Sequence, residues 1–200
     1  MINELLKKRY SPRAFADKNI EPDKITGLLE AARWSPSSMN GQPWRFIVAE
    51  KNDASDFNNL LSVVNEHNQV WAKNAAALIL TIVKLDFDFN GQLNIHALYD
   101  LGNAVANLTF QATSENLFVR QMGGFYPEKA RKVFSIPEGY QPVSILAIGY
   151  KGNPEMLPED LKIREKAVRI RKGLDEIAFT GKFGKPYNNV EQENNLRKAG

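Results

Sequence analysis

The chain has 200 residues, 43% of them hydrophobic and 24% charged, which suits a globular domain with a sizeable core and excludes disordered or fibrous architectures. A count of 26 cations against 23 anions leaves a formal charge of +3, too little for a coat that binds nucleic acid. There is no cysteine, so disulfides, thiolate nucleophiles and thiolate metal sites are excluded.

Asn3 is placed to cap a first helix over Glu4–Lys8. The amphipathic pattern there holds no signal-peptide apolar stretch, so the expected location is the cytoplasm. A second helix is predicted to open at Pro22, to bury Ile25, Leu28, Leu29 and Ala32, and to stop at Pro36. Trp44–Glu50 reads as a strand and Phe57–Val64 as a helix. Ala75–Val83 reads as a buried central strand, too short to span a bilayer and interrupted by Thr81. After a loop from Lys84 to Asn94, the longest helix is predicted from about Ile95 to Leu117. Leu98, Leu101, Val105, Leu108 and Ala112 give it an apolar stripe, which Ala97, Ala104 and Phe110 widen beyond one face. Such a helix needs cover on more than one side, and a partner subunit is a natural cover. Gly123-Gly124 precedes a short helix over Glu128–Phe134, and Val143–Tyr150 reads as a strand. Gly152, Pro154 and Pro158 mark a change to an arm, and Tyr187–Gly200 reads as a polar tail. Helices alternating with three or four strands predict an α+β fold with helices on a small sheet, in one domain over residues 1–200.

Chemistry-bearing motifs are few. His67 and His96 sit in no metal-ligand spacing, and no nucleophile-elbow, P-loop or dinucleotide-binding glycine pattern occurs. Arg9, Ser11 and Arg13 alternate, so an extended segment puts all three on one face, and Pro12 favours extension at Ser11. Two guanidiniums and a hydroxyl on one face suit a phosphate. Arg169 and Arg171 repeat the spacing within a run of cations that reads either as a solvated helix face or as part of an anion site. Between Ser35 and Trp44, hydroxyls and carboxamides crowd between Pro36 and Pro43. That stretch reads either as a Ser/Asn-rich turn or as a loop built to present hydrogen-bonding groups.

Arg9-Tyr-Ser-Pro-Arg13-Ala-Phe15 resembles the N-terminal Arg-x-Ser-x-Arg/Lys-x-Phe signature of the nitroreductase family of FMN-dependent oxidoreductases. Ser35 to Phe46 is similar to the family's second signature, at the expected distance downstream. The resemblance runs on through Asn68 with Trp71 and Ala75, the long helix, Gly123-Gly124-Phe125 and Arg169-x-Arg171. It implies a small, mostly antiparallel sheet surrounded by helices, a long central dimer helix, and an arm over about residues 152–200 wrapping the partner subunit.

For the cofactor, the resemblance implies that Arg9, Ser11, Arg169 and Arg171 bind the FMN phosphate, with Arg13 and Asn68 at the pyrimidine end. A backbone N–H of Gly123 or Gly124 would face flavin N5, while Pro36, Ser37, Ser38, Asn40 and Gln42 would reach FMN from the other subunit. Tyr10 is counted with this set, although it stands where many relatives have Arg or His. Met39 replaces a commonly smaller residue, Gly123 replaces an acidic residue or proline, and Met39 and Phe125 are expected to shape the substrate pocket. The implied activity is ping-pong hydride transfer from NADH or NADPH through the flavin to a nitroaromatic, quinone or similar flat acceptor. It would occur in a homodimer without metal, nucleic acid, membrane or a catalytic side chain. A flavin-holding or flavin-sensing protein without turnover, and a different flavin chemistry on the same scaffold, stay open.

Overall fold

The computed structural model describes residues 2–187. As the cap predicts, the Asn3 side chain accepts the Leu5 N–H at 2.9 Å and starts α1 (Glu4–Lys8). In α2 (Pro22–Arg33) Ile25, Leu28 and Ala32 are buried, one helical face turned inward. β1 (Trp44–Glu50) matches its expected span.

The next helix differs: α3 (Ala54–Ser62) begins three residues early, because the Asp53 side chain caps the N–H groups of Ser55 and Asp56. It also ends early, since Val64 leaves the helix to bridge Phe125. A short α4 (Glu66–Ala72) follows, capped by Asn65, that the apolar pattern did not announce. β2 (Ala77–Lys84) starts two residues later than expected.

The long helix, α5 (Ala97–Ser114), is shorter than 95–117 at both ends. The Asn94 side chain takes the His96 N–H in a turn before it. At the other end Asn116 adopts φ 61°, and the Leu117 and Asn116 N–H groups return to the carbonyls of Ala112 and Thr113, a glycine-type stop built on asparagine.

β3 (Phe118–Met122) was not expected, α6 (Pro127–Val133) lies one residue early, and β4 (Tyr140–Gly149) starts three residues early. β4 contains Pro142, which lacks an N–H for the ladder; the register against β2 slips there, Thr81 facing Ser144 and Ile82 facing Pro142. Thr81 belongs to this irregularity: its buried hydroxyl accepts the Ser144 N–H at 3.1 Å. A polar residue inside the most apolar run therefore serves the backbone.

The four strands run β1-β2-β4-β3, every neighbouring pair antiparallel. Alternation along β2 sends Leu78 and Leu80 to one core with Phe15, Phe57, Leu60 and Trp71. Ile79 and Val83 go to the other core, with Leu28, Leu101, Val105 and Leu108 of α2 and α5. The fold is α+β, a four-stranded antiparallel sheet between helical layers.

The change of character expected at Gly152 falls later. α7 (Glu159–Lys166) buries Leu161, and Leu157 and Leu161 belong to the first core. One compact unit runs to Glu165 and a second begins at Lys166. In the second, a 3-10 turn spans Leu174–Glu176 and Phe179 bridges Pro186. The predicted tail lies, beyond Tyr187, outside the described residues. No helix among the described residues is long and apolar enough to cross a membrane.

Candidate functional site

Past α1, buried Pro12, Ala14 and Phe15 pin the chain to the core, and the polar residues between them are displayed. The Arg9 guanidinium donates to Ser11 Oγ at 3.0 Å, so these two meet as the alternation predicts. Arg13 is restrained differently. Its N–H donates to Glu165 Oε2 at 2.9 Å, and its guanidinium lies 4.0 Å from the same oxygen. Tyr10 donates its hydroxyl to the Glu165 carbonyl. From β3, Arg120 donates to the Ser11 carbonyl at 2.6 Å and lies over the Trp71 ring. Burial and then the charge of Arg13 push the Arg120 pKa down, which Glu165 opposes.

Arg13 and Asn68 line one cavity of about 490 Å³, together with His67, Trp71, Asp160, Arg164 and neighbours. This size is ordinary for a ligand site. Asn68 is aimed by α4 and donates its amide to the Gly124 carbonyl at 3.3 Å. The paired glycines differ sharply. A Cβ on Gly124 would lie 2.5 Å from Asn65 Nδ2 and 2.7 Å from Asn68 Nδ2, whereas one on Gly123 would meet nothing within 4 Å. Gly124 is therefore needed for packing, and Gly123 faces open space. Phe125 joins the core instead of that cavity's wall.

The Ser35–Trp44 loop is anchored to α5. Asn107 donates to Ser35 Oγ at 2.7 Å, and Asp100, itself buried, accepts the Ser38 N–H at 3.0 Å. Gln42 donates its N–H to Ser37 Oγ at 3.0 Å, and its amide reaches Asn40. Met39, Asn40 and Gln42 hold φ values of 51°, 53° and 44°, left-handed conformations that cost about 1–3 kcal/mol for each non-glycine residue. Pro36, Ser37 and Ser38 line a second cavity of about 390 Å³ with His96, Tyr99, Asp100 and Asn103, and it shares no residue with the first. Met39 is exposed.

Arg169 and Arg171 belong to the second unit and are exposed. Among the described residues no group of three or more His, Asp or Glu could hold a metal ion. Sequence reading missed Glu165, Arg120, Asp100 and Asn107. Asp100, Asn103 and Asn107 follow three- and four-residue steps, a polar stripe that was there to be read. Glu165 was hidden inside a run of charges that resembles a solvated face.

An antiparallel sheet between helical layers thus carries the paired Arg9 and Ser11 and a cavity edged by a cation and a carboxamide. The sequence profile of the nitroreductase family matches residues 6–150, and the chain belongs to that family. It is 34% identical over 149 residues to an uncharacterized 15.4 kDa protein of Mycolicibacterium smegmatis, covering 71% of this chain and 99% of that one. It is 28% identical to the major NAD(P)H-flavin oxidoreductase of Aliivibrio fischeri, over 84% of this chain and 95% of that one. A crystal structure described as an oxidoreductase containing FMN superposes with a TM-score of 0.86 at 32% identity, covering 92% and 94% of the two chains.

Proposed function

We propose that this chain is an FMN-dependent oxidoreductase that draws on NADH or NADPH and reduces a flat acceptor such as a nitroaromatic or quinone. The observation that carries the reading is the convergence of Arg13 and Asn68, from distant segments, on one cavity beside the Gly123-Gly124 backbone. The chemistry a bound FMN supplies is hydride transfer, and the protein holds and tunes it. Arg9 and Ser11 hold the phosphate. Arg13 faces the pyrimidine edge, where a fixed cation favours a reduced, anionic ring. Asn68 fixes the same edge, and the open side of Gly123 lets backbone approach a flat ring.

The loop from Pro36 to Gln42 completes the site of a neighbouring subunit in a homodimer, and Met39 reaches the acceptor side. Exposed apolar side chains on and near α5, Ile95, Leu98 and Tyr99 among them, favour this assembly, since Tyr99 lines the loop's own cavity. Sedimentation of the flavin-loaded protein tests it, and a monomer that keeps FMN tightly refutes it.

Titration of flavin-free protein with FMN, followed by fluorescence quenching, tests the function. Arg9→Ala should weaken binding roughly 10- to 150-fold, the equivalent of one charge-assisted hydrogen bond of about 1.5–3 kcal/mol. Protein that neither carries nor takes up FMN refutes the reading.

A further inference from the structure

Glu165 holds Arg13 at the cavity through a deeply buried carboxylate. Its side chain is 1% exposed, and a carboxylate that deep ordinarily has partners for both oxygens. Oε2 takes the Arg13 N–H at 2.9 Å, while Oε1 has no hydrogen-bond partner among the described residues. The Arg13 guanidinium stands 4.0 Å from Oε2, too far to hydrogen-bond and close enough for the charges to couple strongly. Arg13 is mostly buried too, so water screens the pair weakly. The backbone of Glu165 and Arg120 hold the neighbouring segment, through Tyr10 and the Ser11 carbonyl.

Two consequences follow for Arg13. Its backbone is fixed by the carboxylate, and so is the point from which its side chain enters the cavity. Its charge is partly cancelled from behind, so anything at the cavity wall meets an ion pair instead of a bare cation. We propose that Glu165 is a positioning residue for Arg13, one that tempers its charge and thereby limits how far the site favours a reduced flavin over an oxidised one. The proposal rests on the reading that Arg13 faces the pyrimidine edge.

Glu165→Gln keeps the size of the side chain and a carbonyl for the Arg13 N–H, and removes the charge. The holoprotein should then hold reduced FMN more tightly relative to oxidised FMN by about tenfold, a rise of about 30 mV in the two-electron midpoint potential. Dye-equilibrated reductive titration reads this without turnover. Glu165→Asp, which restores the charge, should bring the potential back toward that of the unchanged protein. In an Arg13→Met background Glu165→Gln should leave the potential where Arg13→Met puts it.

An unchanged potential in Glu165→Gln, with a lowered one in Arg13→Met, overturns the proposal and leaves the flavin reading standing. An equal shift with and without Arg13 also overturns it, because Glu165 would then act directly. If Arg13→Met changes neither potential nor FMN affinity, the placement of Arg13 fails, and the proposal with it. Should Glu165→Gln alone not fold, the paired loss Arg13→Met with Glu165→Gln, which removes both partners of the ion pair, is compared with Arg13→Met. Equal potentials support the proposal and unequal ones overturn it.

Discussion

Replacing each of the two adjacent glycines by alanine should give opposite results. At Gly124 the new methyl falls 2.5 Å from Asn65 Nδ2, 2.7 Å from Asn68 Nδ2 and 3.1 Å from Asn65 Cγ, so both carboxamides must leave their places. The backbone cannot swing aside instead: the Asn65 N–H donates to the Gly124 carbonyl at 3.1 Å, and the Tyr126 N–H donates to the Val63 carbonyl at 2.8 Å. Moving Asn65 breaks the cap of α4, worth about 1 kcal/mol. Moving Asn68 breaks its bond to the Gly124 carbonyl, worth about 1 kcal/mol more. Alanine also stiffens the unfolded chain, which returns about 0.4–1 kcal/mol at a site it can occupy. The net loss for Gly124→Ala is then about 1–1.5 kcal/mol, a fall in Tm of roughly 2–6 °C for a chain of this length. Gly123→Ala meets nothing within 4 Å and should leave Tm unchanged or slightly raised. Because the unfolded-state effect is common to both, the difference between the variants isolates the packing cost at about 2 kcal/mol. Scanning calorimetry on flavin-free protein measures it, and FMN titration then reads the other half: the Gly123 methyl enters the open side and should weaken FMN binding. Equal Tm values for the two variants, or a larger loss at Gly123, would refute the assignment of separate roles.

Asp100→Ala removes the acceptor for the half-buried Ser38 N–H, at a cost of about 1 kcal/mol, and frees a loop held in left-handed conformations. Amide exchange at Ser38 and Gln42 should quicken markedly while the β2 amides keep their protection; unchanged exchange in the loop would show that Asp100 does not anchor it. A pH effect is expected at the start of α2. The Tyr150 hydroxyl, more than any other contact, holds the Glu21 carboxyl down from 4.5 to about 2, and it also raises Lys24. A depressed carboxyl stabilises the fold fully above its ordinary value and loses that contribution as pH falls from 4.5 toward about 2. Tyr150→Phe should therefore flatten the acid limb of the stability curve across that window and move the Glu21 titration upward in an NMR experiment. An unmoved Glu21 titration would discard the assignment.

Long apolar runs with one period were readable because each element's burial is decided locally. β2 and α5 carry enough apolar side chains that few alternatives bury them. β3 was not readable, because an edge strand pairs on one side only and Arg120 and Gln121 break its alternation. α4 was missed because seven residues hold too few turns for a stripe, and its start rests on the Asn65 cap. The site divides along the same line. Arg9, Ser11, Asn68 and the 35–44 loop stand out because their side-chain types announce anion and amide chemistry in short stretches. What restrains them comes from far along the chain: Glu165 is 152 positions from the Arg13 N–H it accepts, Arg120 109 from Ser11, and Asp100 62 from Ser38. Such partners leave no local period, since their spacing is set by the topology of the sheet and not by a helix or strand repeat. The consequence for Arg13 is physical. A motif can say that a cation stands at that position, but its effective charge depends on a buried carboxylate that only the fold brings within 4.0 Å. Two relatives with the same N-terminal signature and different residues at the position of Glu165 should therefore hold the same ligand with different reduction potentials.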